Sequence, residues 1–340
     1  MISARPMTRR RARLHTVGSF LPEGRLTNAD LERMVDTSDE WIMTRTGIRE
    51  RRIASEQETT LTFAEGAARD ILERAGMDAA DLDAIIIPTA TPEGLFPTTA
   101  CLLQDRIGAR KAAAYDCLAA CSGFVYGLAQ AYGFVESGLA ENVLVIGAET
   151  LTRFTDFTDR STCVLFGDGA GGALVTAGDD STTGFLGFDL GADGGMGHEL
   201  GLPVGGSAHP ANRPFESKDA YIFMHGPAVF KFATRVIVDS TTRLLETTGV
   251  SADDIDLFIP HQANLRIIDH AVDKLGMDPD KVVVNLERHG NTSSASVPIA
   301  LAEARDDGRL KPGSLLLMIA FGAGLTWGST IVAYEPPVAA

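Results

Sequence analysis

Short apolar runs bounded by polar turn residues recur along the chain. They cover residues 85–87, 143–146 and 315–319, and each has the length of a buried β-strand rather than the ~20 residues of a membrane-spanning helix. A longer stretch of small and apolar residues, from Phe124 to about Ser137, predicts a helix, and residues 112–116 before it predict a strand. Strands that alternate with helices in this way indicate an α/β fold.

The pattern repeats itself at half the chain length. An offset of 173 residues carries Gly76, with the acidic turn and strand that follow it, onto Gly249, and it carries Cys121 onto Ser294. The repeat predicts two structural copies related by a pseudo-twofold axis, with a boundary in the polar cluster at residues 177–184. We therefore expect an N-terminal half, residues 1–180, that carries a candidate nucleophile and a C-terminal half, residues 181–340, that carries candidate His and Asn partners.

Composition narrows the class of protein. The chain has 340 residues, of which 45% are apolar and 22% charged, as in soluble globular proteins, and its formal net charge of −15 disfavours a general nucleic-acid binder. Arginines crowd the first 13 residues, and because no apolar segment follows them we expect a disordered basic tail rather than a secretory signal. These arginines are Arg5, Arg9, Arg10, Arg11 and Arg13.

The four cysteines do not form a disulfide or zinc pattern. Cys101, Cys117, Cys121 and Cys163 are too few for a disulfide framework, and no CxxC spacing is present. The sequence therefore indicates a cytoplasmic protein with no metal site and no membrane segment.

Cys121 is the candidate nucleophile because it lies where the predicted helix begins. Unpaired N–H groups and the helix dipole at such an end favour a thiolate, which is the reactive form of cysteine. The alternative is a small buried apolar residue, which a free cysteine often is.

A candidate histidine and asparagine come from turns of the second copy. His261 follows Pro260 at the end of an apolar strand, where α/β proteins place ligands, and Asn291 lies in a Gly290–Thr292 turn, where it could equally be a helix N-cap. Cys, His and Asn brought together from turns are the parts of a thiolate acyl-transfer site.

At these residues the sequence resembles β-ketoacyl-acyl carrier protein synthase III, a condensing enzyme of the thiolase-like superfamily, from about His15 to Tyr334. The motifs that carry the resemblance are residues 36–42, 44–49, 119–121, 166–171, 260–268, 289–298 and 321–329. The resemblance implies a five-layered αβαβα fold and a homodimer. It also implies decarboxylative condensation of an acyl-CoA starter with malonyl-acyl carrier protein through an acyl-Cys intermediate, without a cofactor or metal.

The resemblance also implies roles for individual residues. Cys121 is the acylated nucleophile, and His261 and Asn291 hold the malonyl thioester. The backbone N–H groups of Cys121 and Ala323 form the oxyanion hole. Coenzyme A contacts are implied for Trp41 and Arg160 on the two sides of the adenine, Arg45 near the phosphates, and Gly226 and Asn264 along the pantetheine. Phe96 reaches across the dimer to the partner's acyl pocket.

Four basic residues are candidates for docking the acidic carrier protein. Lys231 and Arg235 lie four residues apart in a helical pattern, so they share a face, and Arg266 and Lys274 follow the His261 turn. Lys231, Arg266 and Lys274 match the family's docking positions, whereas Arg235 is an addition. The alternative is a solvated helix face with ordinary ion pairs.

One position departs from the family pattern. The triple-glycine turn of the family reads Gly322-Ala323-Gly324 here. A methyl group at Ala323 costs little if its φ is negative and about 1 kcal/mol or more if φ is positive.

Rival functions on the same fold stay open to different degrees. A thiolase needs a second cysteine near the C-terminal glycine turn, whereas all four cysteines lie at or before Cys163. The other rivals are a chalcone-synthase-like enzyme, a starter-unit synthase or acyltransferase of a secondary-metabolite pathway, and a non-catalytic partner subunit. The last should lack the nucleophile. The starter is not fixed by the sequence, because one methylene is worth only ~1–3 kcal/mol of discrimination.

Overall fold

The computed structural model describes residues 11–178 and 184–335. The strands are β1 (Arg11–Phe20), β2 (Arg25–Thr27), β3 (Glu50–Arg52), β4 (Ala84–Pro88), β5 (Ala113–Cys117), β6 (Asn142–Thr150), β7 (Asp168–Gly178), β8 (Gly184–Ala192), β9 (Leu200–Gly201), β10 (Phe223–Met224), β11 (Leu257–Pro260), β12 (Leu315–Gly322) and β13 (Thr326–Ala333). The α-helices are α1 (Asn28–Leu31), α2 (Asp39–Thr46), α3 (Thr60–Ala75), α4 (Thr99–Ile107), α5 (Gly123–Glu136), α6 (Gly226–Thr248), α7 (Leu265–Leu275), α8 (Leu286–His289) and α9 (Ser296–Asp306).

Two mixed sheets form the framework. The first has the strand order β1-β7-β6-β4-β5, and the second has the order β11-β12-β13-β8. Read from the opposite edge, the second sheet repeats the first, with β8, β13, β12 and β11 in the places of β1, β7, β6 and β4. A parallel bridge between Phe258 and Val282 lies where a counterpart of β5 would pair.

Helices cover both faces of both sheets. In β4, Ile86 faces a middle layer that contains α5 and α9, whereas its neighbours Ile85 and Ile87 face α3 and α4 on the outside. Helices α6 and α7 cover the outer face of the second sheet. Strands buried on both faces explain the continuous apolar runs of the sequence, and the five-layered αβαβα fold is confirmed.

The internal repeat is visible in equivalent elements and bonds. Strands β1 and β8, β4 and β11, and β6 and β12 each begin 173 residues apart. The carboxylate of Asp83 accepts a hydrogen bond from the Asn142 N–H (3.1 Å), and that of Asp256 accepts one from the Leu315 N–H (2.7 Å), again at this offset. The two copies thus share turn chemistry as well as strand order.

One expectation about the N-terminus is wrong. Arg11 and Arg13 belong to β1 rather than to a basic tail, because Ala12 and Leu14 alternate with them and are buried in the middle layer. The Arg13 Nε–H donates to the Thr176 hydroxyl of β7 (3.2 Å). A basic residue at alternate positions is therefore compatible with a half-buried strand.

The other N-terminal and boundary predictions lie outside the described residues. This holds for Arg5, Arg9 and Arg10 and for the division between residues 180 and 181. Among residues 11–178 and 184–335, no helix combines the length and apolar character that crossing a membrane requires.

Candidate active site

Two short turns, one from each half, meet where the halves pack together. The 3-10 turn Ala120–Ser122 carries Cys121 and leads into α5, and its counterpart Ser293–Ala295 leads into α9. Within residues 11–178 and 184–335, Ala120 (φ 45°) and Ser293 (φ 47°) are the two non-glycine residues with positive φ. This conformation costs roughly 1–2 kcal/mol per residue, so the surrounding packing must impose it.

Glycines allow the turns to come this close. A Cβ at Gly322 would lie 2.5 Å from the backbone nitrogen of Cys121, and one at Gly147 would lie 2.3 Å from the carbonyl oxygen of Ser294. Neither position leaves space for a side chain. The ends of β12 and β6 therefore support the turn of the opposite half.

Thr326 fixes the turn of the nucleophile from the C-terminal half. Its hydroxyl lies 2.7 Å from the Ser122 hydroxyl and donates to the carbonyl oxygens of Ala119 and Ala323, both at 3.2 Å. The position of Cys121 therefore depends on residues of both halves. Nothing in the local sequence around Cys121 indicates Thr326.

Cys121 is a neutral thiol in the resting protein. Its exposed fraction is 9%, and burial raises the pKa of its thiol to about 12; a hydrogen bond from Ser293 opposes this increase, and the negative charge of Glu149 adds to it. The expectation that the helix end makes this thiol easier to ionise is wrong, because a helix dipole contributes at most about 2 kcal/mol and loss of hydration outweighs it.

Glu149 is a fully buried carboxyl at the end of β6, beside the same turn. It accepts hydrogen bonds from the hydroxyls of Ser294 and Thr91, both at 2.8 Å, and from the Ala90 N–H at 3.0 Å. Burial raises the pKa of Glu149, and these bonds oppose the increase. Glu149 thereby ties the segment after β4 to the Ser294 turn.

His261 presents one ring nitrogen to the cavity in a defined tautomer. Its Nδ1 lies 2.6 Å from the Ser296 hydroxyl, which itself accepts the Gln262 N–H at 3.4 Å. Among the described residues the Ser296 O–H has no acceptor other than Nδ1, and its donation to Nδ1 leaves Nε2 as the N–H donor. Burial lowers the pKa of His261 to about 3, so the ring is neutral at physiological pH.

Asn291 is held by both its backbone and its side chain. Its N–H donates to the Leu165 carbonyl (2.8 Å), and its carbonyl accepts the Gly167 N–H (3.0 Å). The side-chain oxygen accepts the Ser293 N–H (2.9 Å), as a turn cap would. Capping and substrate binding are compatible, because the side-chain NH2 group still supplies donors.

One cavity of about 470 Å³ contains all three candidate catalytic residues. Cys121, His261 and Asn291 lie among its lining residues together with Gly322. The lining also includes the other predicted residues Trp41, Arg45, Gly226, Asn264 and Arg266. A second cavity, of about 80 Å³, lies on another side of Cys121 and is lined by Ala323 and by the apolar side chains Leu151, Phe166, Leu202 and Ile222.

Trp41 forms the outer part of the cavity between two arginines. The guanidinium carbons of Arg45 and Arg160 lie 4.8 and 5.0 Å from the centre of its ring. A flat base between Trp41 and Arg160 needs two contacts of about 3.5 Å each, so this slot is closed in the structure. Arg160 also donates to the Asp36 carbonyl at 2.8 Å, and its guanidinium lies 3.8 Å from the Asp36 carboxylate.

Asn264 connects the outer part of the cavity, the mouth formed by Trp41 and Arg45, to the His261 turn. It caps α7 through the Arg266 N–H (3.0 Å), and its side-chain NH2 donates to the Arg45 carbonyl at 2.9 Å. Gly226 begins α6 on the other side of the cavity. The predicted pantetheine contacts therefore line one channel.

The basic docking candidates lie on α6 and α7, which pack against each other. All four are exposed: Lys231, Arg235, Arg266 and Lys274. Of these, Arg266 lines the cavity and stacks on Phe230 at 5.3 Å, whereas Lys274 lies 3.9 Å from Asp273.

Two further predictions concern the Phe96 side chain at the surface and the backbone of Ala323. Phe96 is 87% exposed, which leaves it available to a partner. The φ of Ala323 is not positive, so the methyl group costs little at this position. Ala323 also lines the smaller cavity together with Cys121. No group of three or more His, Cys, Asp or Glu side chains in the described residues could hold a metal ion.

The duplicated fold and a cavity that unites Cys, His and Asn define the class of protein: a condensing acyltransferase of the thiolase-like fold. Residues 115–194 match the family 3-oxoacyl-[acyl-carrier-protein] synthase III, and residues 245–334 match its C-terminal family. A β-ketoacyl-[acyl-carrier-protein] synthase III of Caldanaerobacter subterraneus is 53% identical over 94% of this chain and 96% of its own. The chain belongs to the β-ketoacyl-[acyl-carrier-protein] synthase III family.

Solved structures agree with this assignment. The 3-oxoacyl-[acyl-carrier-protein] synthase III of Aquifex aeolicus has a TM-score of 0.88 and 47% identity, covering 95% of this chain and 100% of its own. The priming β-ketosynthase of the R1128 polyketide pathway has a TM-score of 0.91 and 37% identity, covering 99% and 100%.

Proposed function

We propose that this enzyme joins an acyl-CoA starter to malonyl-acyl carrier protein and releases carbon dioxide, coenzyme A and a 3-ketoacyl-carrier protein. The observation that carries the proposal is the single cavity shared by Cys121, His261 and Asn291. Membership of a β-ketoacyl synthase III family supports the reaction class, which begins fatty-acid synthesis.

The first half-reaction loads the enzyme. The Cys121 sulfur attacks the thioester carbonyl of acyl-CoA, the bond from that carbon to the coenzyme A sulfur breaks, and the thiol proton ends on coenzyme A. Because the resting thiol is neutral, the proton leaves as the new bond forms. The N–H groups of Cys121 and Ala323 stabilise the oxyanion, and one such donor is typically worth ~10²–10³ in rate.

The second half-reaction makes the carbon–carbon bond. The His261 Nε2–H and the Asn291 NH2 donate to the thioester oxygen of the malonyl group, and this stabilises the enolate left by departing carbon dioxide. The enolate carbon attacks the acyl carbonyl on Cys121, the bond from that carbon to the Cys121 sulfur breaks, and the released thiolate takes up one proton from water. A dry site strengthens both donors.

The same proposal covers the substrates and the assembly. Trp41, Arg45, Arg160, Gly226 and Asn264 bind coenzyme A, and the cationic residues of α6 and α7 dock the carrier protein. The enzyme acts as a cytoplasmic homodimer in which Phe96 closes the partner's acyl pocket. Besides its two substrates it uses no cofactor.

A second candidate is the priming of polyketide synthesis. The similarity to the R1128 priming synthase favours it, although that relative is less identical than the synthases III above. Comparing kcat/KM across acetyl-, propionyl-, branched and longer acyl-CoA starters separates the two, since fatty-acid initiation predicts a short-chain preference and a short starter fits the 80 Å³ cavity.

The proposal is tested by following both half-reactions in one sample. Radiolabelled acetyl-CoA should label the protein, and malonyl-carrier protein should then remove the label as a ketoacyl product. Labelling without removal would favour an acyltransferase, and no labelling would favour a non-catalytic subunit.

A further inference from the structure

A carboxylate outside the cavity connects the two loops that carry His261 and Asn291. Glu303 lies on α9 and is partly buried. Its Oε1 accepts from His289 Nε2 at 2.6 Å, and its Oε2 accepts from Asn285 Nδ2 at 2.8 Å and from Arg288 Nη2 at 2.9 Å. The acceptor oxygens are thus shared among three donors from one segment, residues 285–289.

One arm of this network leads to Asn291. His289 is buried and ends α8, and only Gly290 separates it from Asn291. Gly290 has a φ of 70°, and a Cβ there would lie 2.8 Å from the Cβ of Arg51, so the joint is tightly packed. A displacement of His289 is therefore transmitted to Asn291 over two residues.

The other arm leads to His261. The Asn285 N–H donates to the side-chain oxygen of Gln262 at 2.9 Å, and the Gln262 NH2 donates to the carbonyls of Pro260 (2.7 Å) and Val283 (3.0 Å). Gln262 directly follows His261. All four groups of this arm are buried, so the bonds do not exchange freely with water.

Helix α9 also contacts His261 directly. Ser296, which hydrogen-bonds the ring at Nδ1, lies seven residues before Glu303, so the two side chains share a helix face. Glu303 is ionised: burial alone would raise its pKa, but the hydrogen bond and charge of His289, with Asn285 and Arg288, lower the pKa of Glu303 to about 2.

We propose that Glu303 is a positioning residue for decarboxylation, which fixes the His261 and Asn291 donors in one geometry by binding both of their loops to α9. The inference rests on the function proposed above. Cys121 lies in the other half, in the turn before α5, and neither Glu303 nor the Asn285 and Gln262 groups of the network hydrogen-bond to it. Loading of the enzyme should therefore be independent of Glu303.

Glu303→Gln tests this assignment. The substitution keeps the shape but turns one acceptor oxygen into an NH2 group, which opposes at least one of the three donors. We expect kcat for decarboxylation of malonyl-carrier protein to fall by roughly 10- to 100-fold, the scale of a small misplacement of reacting groups. KM for malonyl-carrier protein and the rate of self-acylation should stay within a factor of two of wild type.

Two comparisons make the result specific. Glu246→Gln, an exposed position on α6, is the matched control and should change neither half-reaction. In an Asn291→Ala background the effect of Glu303→Gln should shrink, since much of it acts through Asn291. If Glu303→Gln cannot be isolated as a folded dimer or monomer, Glu303→Asp keeps the charge, cannot reach all three donors, and should show the same split.

The alternatives are distinguishable. If Glu303→Gln slows both half-reactions equally, or slows neither, the assignment is overturned. It is also overturned if the effects of Glu303→Gln and Asn291→Ala on decarboxylation are fully additive. A wild-type enzyme that is acylated but does not decarboxylate malonyl-carrier protein overturns the proposed function, and that result is visible before any variant is made.

Discussion

At the scale of the single residue, burial decides the charge of the active site. The resting Cys121 is a thiol and His261 a neutral imidazole, so no thiolate–imidazolium pair is stored before substrate arrives. A neutral imidazole suits an enzyme that needs an N–H donor for an enolate. It does not suit one that needs a permanent cation.

The reactivity of Cys121 should therefore rise with pH without a plateau. A thiol with a pKa of about 12 becomes more ionised at every step between pH 7 and pH 10, so the rate of alkylation by iodoacetamide should increase about tenfold per pH unit. The rate of covalent labelling of the protein by iodoacetamide, measured by mass spectrometry across this range, tests it, with Cys121→Ala as the control for labelling of the other thiols. A plateau above pH 8 would mean that the helix end ionises the thiol after all.

The two donors should separate the half-reactions. In His261→Ala and Asn291→Ala, self-acylation should persist, whereas decarboxylation of malonyl-carrier protein should fall by ~10²–10³ for each lost donor. Measuring label on the protein and release of carbon dioxide in parallel gives both rates. Equal loss of both activities in Asn291→Ala would contradict this division.

Decarboxylation should also be insensitive to pH where an exposed histidine titrates. Because the pKa of His261 is lowered to about 3, the donor stays neutral from pH 5.5 to pH 8, and kcat for decarboxylation should be flat across that range. The profile of kcat against pH checks this in one series. An ascending limb with a midpoint near 6.5 would show that His261 ionises.

At the scale of the element, the site is the contact between two equivalent turns. The turn of Cys121 and the turn of Ser294 lie at the same offset as the strands, and each is supported by a strand end of the other half. The repeat therefore produces the site as well as the fold, although only one of the two turns carries a thiol.

Gly322→Ala should disrupt the nucleophile without touching it chemically. The new Cβ would lie 2.5 Å from the Cys121 nitrogen, so the turn must shift and the oxyanion donors move with it. We expect self-acylation to fall by ~10² or more. Gly133→Ala on α5 is the matched control, because its position is open, and it should raise the free energy of unfolding by up to about 1 kcal/mol. Normal acylation in Gly322→Ala would show that the turn can relax.

The sequence predicted the elements better than their charges and partners. Periodicity and the 173-residue repeat were enough for the strands and the α/β layers. Turn positions singled out Cys121, His261 and Asn291, which line one cavity, but their roles came from the family resemblance. Ser296, Thr326 and Glu303 were missed, because their roles arise from contacts between elements that are distant in sequence: Thr326 contacts the turn of the other half, whereas Ser296 and Glu303 contact other segments of their own half. The expectation that the helix end makes the Cys121 thiol easier to ionise was wrong, since burial, which raises its pKa, depends on packing from the whole molecule.

At the scale of the whole molecule, charge is the main constraint on the second substrate. The enzyme carries a net charge of −15, so an acidic carrier protein is repelled at long range unless a local cationic surface attracts it. The exposed basic side chains of α6 and α7 are the candidates for such a surface. Arg266 is the one of them that also lines the cavity.

Arg266→Glu should raise KM for malonyl-carrier protein sharply and leave self-acylation by acyl-CoA nearly unchanged. The effect should shrink toward ~1 M salt, where the Debye length is about 3 Å. Lys311→Glu, before β12 at the end far from Cys121, is the matched charge reversal and should have little effect. If Arg266→Glu harms both substrates equally, or if salt does not matter, Arg266 is structural and the carrier docks elsewhere.

The most direct test of the account is mass spectrometry of the enzyme through one turnover. After incubation with acetyl-CoA, one acyl group should appear on the peptide that contains Cys121, and addition of malonyl-carrier protein should remove it as a 3-ketoacyl-carrier protein. An acyl group on Cys101, Cys117 or Cys163, or one that malonyl-carrier protein does not remove, would contradict the account.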